Sequence, residues 1–313
     1  MPAHPTVRFQ DQDLIRIGNR RHALLLAPSA GGRLVRWIHD GSDMLYWPQD
    51  ADWSRPARIR GGNPLLFPFI GRHFVDGEAG RWRAPDGVVR ALPQHGFARD
   101  LPFEVSEVDP RGSIRMALTD SALTHDSYPY AFAFEVAYRL TDDALEAEFR
   151  VENRGDTPMP FYAGHHFYFA VPHQLRTQAR LSMPPARRVR QRADGSLTEG
   201  IAGERDYALD DPRLQDTFHV LDHPVPPCEL MMPANAPAEG TRLRFHLDAP
   251  GSTVPWQAIT TWTEREDADF YCVEPWLGLP DAIHRTGAAI WLPPGAQHCA
   301  LCRIEVTRSG TPN

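Results

Sequence analysis

The chain has 313 residues, 42% hydrophobic and 10% aromatic, with a formal net charge of −7. That composition supports a sizeable buried core and argues against nucleic acid as a partner, because nucleic-acid binding needs a basic surface. All 33 basic residues are arginines; without a lysine, Schiff-base chemistry, pyridoxal phosphate anchoring and a Walker-type phosphate loop are excluded.

Thirty prolines and 23 glycines predict many turns and few long helices. Residues 14–17 and 22–27 flank Gly18-Asn19 and read as a hairpin. Residues 31–38 alternate and turn at Asp40-Gly41. Residues 61–72 hold Pro64 and Pro68, which predicts a buried, irregular segment rather than an ordinary central strand. Phe132, Phe134, Val136, Tyr138 and Leu140 alternate, Asp142-Asp143 turns, and Leu145, Ala147, Phe149 and Val151 alternate back. That is a long antiparallel hairpin with one buried face.

Residues 161–171 read as a further strand, rich in aromatics and histidines. Residues 172–240 are rich in Arg, Pro and Asp. They read as short strands and long loops of the same domain, because alternation resumes at Leu243, Phe245 and Leu247 and again over 258–262. The run Tyr271-Cys272-Val273 stops at Glu274; Pro275, Gly278 and Pro280 follow. This predicts a carboxylate at a strand end, on backbone stiffened by proline. Strands over 288–292 and 299–306 close the chain. No sustained helical period and no fixed repeat is present. The pattern predicts an all-β fold, a sandwich or barrel, in a single domain over residues 1–313.

Cys228, Cys272, Cys299 and Cys302 include a single CxxC. In a strand, residues three apart face opposite sides, and no second pair exists for zinc, so all four are expected to be reduced packing cysteines. The first residues carry no signal-peptide pattern and no run is long enough to span a bilayer, so a cytoplasmic location with no membrane contact is expected. Two histidine settings differ from the loop histidines: His95, before Gly96 and Phe97, and the adjacent His165 and His166. Adjacent residues of a strand point to opposite faces, so one of His165 and His166 looks into any given pocket. HExxH and His-x-His are absent, and no carboxylate lies at ligand spacing beside His165, His166 and His173. No metal and no cofactor are expected.

Gly61-Gly62-Asn63-Pro64-Leu65-Leu66-Phe67-Pro68, His95-Gly96-Phe97-Ala98-Arg99, Gly164-His165-His166-Phe167-Tyr168-Phe169 and Val273-Glu274-Pro275-Trp276 resemble, in order and spacing, the motifs of the aldose 1-epimerase (galactose mutarotase-like) family. The resemblance runs from about residue 10 to residue 307 and includes Pro280-Asp281-Ala282. It implies a large antiparallel β-sandwich (supersandwich) that interconverts the α and β anomers of a hexose without a cofactor. Carried over residue by residue, it implies Glu274 as general base and His166 as general acid. It implies that His95, Arg72, Asp216 and Gln257 bind the sugar. The family's usual Asn-Arg after Gly-Arg is missing, Trp276 stands where glutamine is commoner, and the His-Gly-Phe-Ala-Arg form departs from the galactose-specific pattern. The sugar is therefore open, with a hexose 6-phosphate gripped by arginines, or a non-catalytic sugar-binding protein, as alternatives. The expected partner is a small sugar, and the expected assembly a monomer or homodimer. Because the base must reach O1 and the acid O5 of one sugar, the two groups are expected to face each other across roughly 5–8 Å without bonding.

Overall fold

The computed structural model describes residues 5–233, 240–248 and 250–308. Residues 234–239, part of the stretch rich in Arg, Pro and Asp, lie outside the described residues. Period-two patterning builds the architecture. Phe132–Leu140 and Ala144–Asn153 pair antiparallel with Leu140 opposite Leu145, and Phe132, Phe134, Val136 and Tyr138 are buried. Among the described residues this hairpin belongs to a nine-stranded sheet, bordered by Ser113–Thr119 on one side and by the closing strand Gln297–Arg308 on the other. A second sheet has Phe270–Trp276 near its centre. Ala258–Trp262 pairs with it on one side, and Gly164–His165 and Tyr168–Ala170 on the other. The amino-terminal hairpin forms as predicted, Gln12–Gly18 against Ala23–Ala27, within a smaller sheet.

The two large sheets face one another through aromatic side chains. Phe149 of the nine-stranded sheet stacks on His165 at 4.0 Å between centroids, and Phe245 meets Phe169 edge-on at 5.4 Å. Phe67, from the irregular segment, stacks on Phe134 at 4.5 Å. Burying a side chain of this size contributes about 1.5–3 kcal/mol, which accounts for the aromatic richness of residues 161–171. The result is a large antiparallel β-sandwich. Among the described residues no helix is long and apolar enough to cross a membrane.

Two expectations need correction. Residues 161–171 are not one strand: they are parts of the short strands Met159–Phe161, Gly164–His165 and Tyr168–Ala170. The Glu274 strand does not stop at the acid but runs Phe270–Trp276, buried throughout. Pro275 withholds one N–H, yet the strand continues because neighbours donate to and accept from its end. The Gln257 N–H donates to the Trp276 carbonyl at 2.8 Å and the Leu277 N–H to the Ala163 carbonyl at 2.9 Å. Other expectations hold. Residues 61–71 are buried, with Leu65–Leu66 as their strand. The four cysteines are free, and Cys302 is buried while Cys299 is half-buried on the strand's other face.

Candidate active site

Alternation sorts the central strand into two faces. Tyr271 and Val273 belong to the main core cluster, while Glu274 and Trp276 line the cavity on the other face, the face that alternation also gives to Cys272. On that face Thr260 lies opposite Glu274 and Trp262 opposite Cys272. On the other flank Tyr168 lies opposite Cys272 and Gly164 opposite Trp276. Those two pairs share one register, and the same register sets His166 opposite Glu274. The ladder is left open there. Pro275 has no N–H to give, and the His166 N–H donates instead to Asn63 Oδ1 at 2.8 Å.

His166 Nδ1 therefore lies 3.3 Å from Glu274 Oε1. The expected gap of roughly 5–8 Å between opposing walls is a correction. The two groups are cross-strand neighbours, whose Cβ atoms sit about 4.5–5.5 Å apart, and they share one floor. The contact is close but lacks hydrogen-bond geometry, since Nδ1 is buried without a partner. Trp276 Nε1 donates to Glu274 Oε2 at 3.1 Å, which leaves Oε1 turned to the imidazole.

Burial pushes the Glu274 acid well above the ordinary carboxyl value; the Trp276 hydrogen bond opposes this and Asp216 adds to it. Burial, and then Arg99, Arg60 and Arg33, hold His166 well below the ordinary imidazole value. Both shifts favour one distribution, a protonated carboxyl beside a neutral imidazole. The His166 ring stacks on Tyr168 at 4.6 Å with 5° between planes.

His165 faces the core, as alternation requires. It stacks between Phe149 at 4.0 Å and Phe167 at 4.9 Å, and burial lowers its pKa to about 3. Asn63 holds both histidines. Its Oδ1 takes the His166 N–H, while its Nδ2 lies 3.0 Å from His165 Nδ1 and donates to the Tyr138 hydroxyl at 2.8 Å.

His95 forms an adjoining wall, its ring centroid 5.6 Å from His166 and 5.8 Å from Trp276. The Gly71 N–H donates to His95 Nδ1 at 3.1 Å, so the neutral ring carries its proton on Nε2. His95 has φ 69° and Gly96 φ 72°. A Cβ at Gly96 would stand 2.1 Å from the Phe67 carbonyl oxygen, so glycine is required for this close approach. Left-handed backbone at a histidine costs on the order of 1–3 kcal/mol and persists where surrounding structure enforces it.

Glu274, His166, His95, Arg72 and Asp216 line one cavity of about 520 Å³, within the range that holds a small ligand. Arg72 Nε donates to Gln191 Oε1 at 3.3 Å. Asp216 is exposed at the mouth, with φ 49°. Gln257 is a correction: its side chain is exposed and outside the lining. Its neighbour Ala258 pairs with Trp276 on the cavity face, so alternation turns residue 257 away. Sequence reasoning missed Thr260, Trp262, Arg60 and Arg99, which also line the cavity. Alternation over 258–262 puts Thr260 and Trp262 on one face but cannot say which.

The fold also changes the metal arithmetic. His173 pairs with Asp269 at 2.7 Å, away from His166. Donor atoms of His166, Cys272 and Glu274, all buried, lie within 4.8 Å of one another. Register thus supplies the carboxylate that the sequence spacing lacked.

The aldose 1-epimerase family model matches residues 13–304. A Salmonella typhimurium protein provisionally named glucose-6-phosphate 1-epimerase is 23% identical over 277 residues, which cover 80% of this chain and 87% of that protein. A Cenchrus ciliaris protein of the same name is 25% identical over 153 residues, 45% of this chain and 42% of that protein. The chain thus spans less than half the length of that relative. Among solved structures, one from Synechocystis superimposes with TM-score 0.80 at 23% identity, covering 98% of this chain and 99% of that one. The galactose 1-epimerase of Lactobacillus acidophilus superimposes with TM-score 0.69 at 16% identity, covering 96% of each chain.

Proposed function

The chain belongs to the aldose 1-epimerase family, and we propose that it interconverts the α and β anomers of a hexose through the His166–Glu274 pair. The observation that carries this reading is a carboxyl and an imidazole 3.3 Å apart on the floor of a polar cavity, with acidities displaced in opposite directions. Ring opening removes the proton of O1, breaks C1–O5, forms the C1 carbonyl and delivers a proton to O5. Rotation about C1–C2 and closure reverse those transfers on the other face. One proton leaves the sugar and one returns, so a base and an acid that share a single proton suffice. On opening, the proton the pair shares passes from the carboxyl to the imidazole, Glu274 takes the O1 proton and His166 gives one to O5; the roles exchange on closure. With Nδ1 turned to the carboxyl, Nε2 is the imidazole nitrogen left to address a sugar oxygen. His95, whose Nε2 lies 3.2 Å from the Gln94 amide nitrogen, and Arg72 and Asp216 at the wall and mouth orient the hydroxyls.

A second reading, a hexose 6-phosphate as substrate, is favoured by one observation: Arg58, Arg60, Arg72 and Arg99 all line the same cavity, and guanidinium groups match phosphate geometry. Polarimetry over a panel of free and 6-phosphorylated hexoses tests both. Acceleration of a free hexose supports the first reading, and acceleration confined to the phosphates supports the second. Saturable sugar binding with no acceleration leaves a non-catalytic binding protein.

A further inference from the structure

We propose that Cys272, Glu274 and His166 form a binding site for a soft divalent cation of the zinc type, which on binding shuts sugar out. Cys272 and Glu274 are two apart on one strand, so the thiol and the carboxyl leave the same face. Register brings His166 opposite the glutamate from the flanking strand. The three donor atoms lie within 4.8 Å of one another. His166 Nδ1 is buried without a hydrogen-bond partner and faces the carboxyl.

The donor set has a chemical preference. Thiolate and imidazole select zinc-like ions over magnesium or calcium, which take oxygen ligands. Zinc holds sulfur at about 2.3 Å and nitrogen or oxygen at about 2.0–2.1 Å, so ligands around one ion stand roughly 3.3–3.8 Å apart. The His166–Glu274 contact of 3.3 Å already meets that spacing. Charge also closes. A thiolate and a carboxylate cancel the two positive charges, so Arg60 and Arg99, both at the cavity, meet no net cation. Binding releases the thiol proton, and the carboxyl proton where present, to solvent. Three protein ligands leave a fourth position, and the cavity lies on the side of His166 and Glu274. An ion seated there occupies the groups that the proposed reaction uses. It is therefore an inhibitor and not a cofactor.

The test uses the whole chain, stripped of metal and titrated with cobalt(II). The expected result is a thiolate-to-cobalt charge-transfer absorption that saturates at one equivalent, is displaced by zinc(II), and is untouched by magnesium. Cys272→Ala loses the absorption and keeps its mutarotation rate. That variant requires at least about tenfold more zinc(II) for inhibition, the scale on which losing a supporting group weakens a metal site. No charge-transfer absorption at one equivalent of cobalt on the folded parent overturns the site, as does equal zinc inhibition of parent and Cys272→Ala. Should Cys272→Ala fail to fold, the parent spectrum compared with His166→Gln decides: an unchanged spectrum overturns the proposal. The cobalt spectrum does not depend on any sugar activity, so a failure here is distinct from a failure of the mutarotase reading.

Discussion

The two faces of the sheet around Phe270–Trp276 treat adjacent histidines differently. His165 points into the space between the sheets and His166 into the cavity. Both are almost wholly buried, both are driven by burial to a low pKa, and each has one buried ring nitrogen without a partner. Burial and an unsatisfied nitrogen by themselves therefore do not mark a site. The neighbour does: His165 meets Phe149 and Phe167, whereas His166 meets a carboxyl displaced in the opposite direction. A pair of titratable groups pushed apart is the pattern of acid–base chemistry.

The contrast breaks most visibly on the cavity face. Glu274→Gln and His166→Gln each lower kcat by about 10²–10⁴-fold, the scale of a lost general acid or base, as polarimetry reads it. Folding survives. Glu274 has a raised folded pKa, so the stability it contributes is present below its unfolded value of about 4.3 and is lost as pH rises through the folded value. Glu274→Gln escapes that loss, and its melting temperature gains on the parent as pH increases.

Asn63→Ala tests the residue that serves both faces. Loss of the bond to the His166 N–H lowers kcat by up to about a hundredfold through misplacement. Rescue by Asn63→Asp, which keeps the acceptor for that N–H, distinguishes positioning from general destabilisation.

Trp276→Phe has a smaller effect, read in the pH profile of kcat/KM. On the proposed mechanism the pair is active with one proton between its two groups. Its acid limb thus follows the lowered His166 and its alkaline limb the raised Glu274. The indole N–H favours the carboxylate, so removing it raises Glu274 further and moves the alkaline limb up. A hydrogen bond to a charged group is worth about 1.5–3 kcal/mol, or about one to two pH units. A limb that stays put separates Trp276 from the titration of Glu274.

The core face yields the smallest change in rate. His165→Phe keeps the aromatic stack, leaves kcat near the parent value, and costs about 1–3 kcal/mol in denaturant unfolding, because Asn63 Nδ2 loses a partner. A fall in kcat matching that of His166→Gln would erase the distinction between the faces.

Much of this was legible in the sequence. Alternation found the Phe132–Leu140 and Ala144–Asn153 hairpin and assigned His165 and His166 to opposite faces, because strand period is a local property. The motifs that resemble the family supplied Glu274, His166 and His95, which the fold brings together. Register between distant strands was not legible. It decides that His166 sits beside Glu274 rather than across a gap, that Cys272 joins them, and that Gln257 turns outward. The continuation of the strand through Pro275 was hidden for a related reason: its hydrogen bonds come from Gln257 and Ala163, residues that no local pattern links to it.

The central claim, that His166 and Glu274 move one proton as a unit, is tested most directly by a double-mutant cycle in the polarimetric assay. Groups that act as a unit are grossly non-additive. The account predicts that Glu274→Gln with His166→Gln is about as slow as the slower single variant. Losses that multiply, or a single variant that keeps the parent rate, would contradict it.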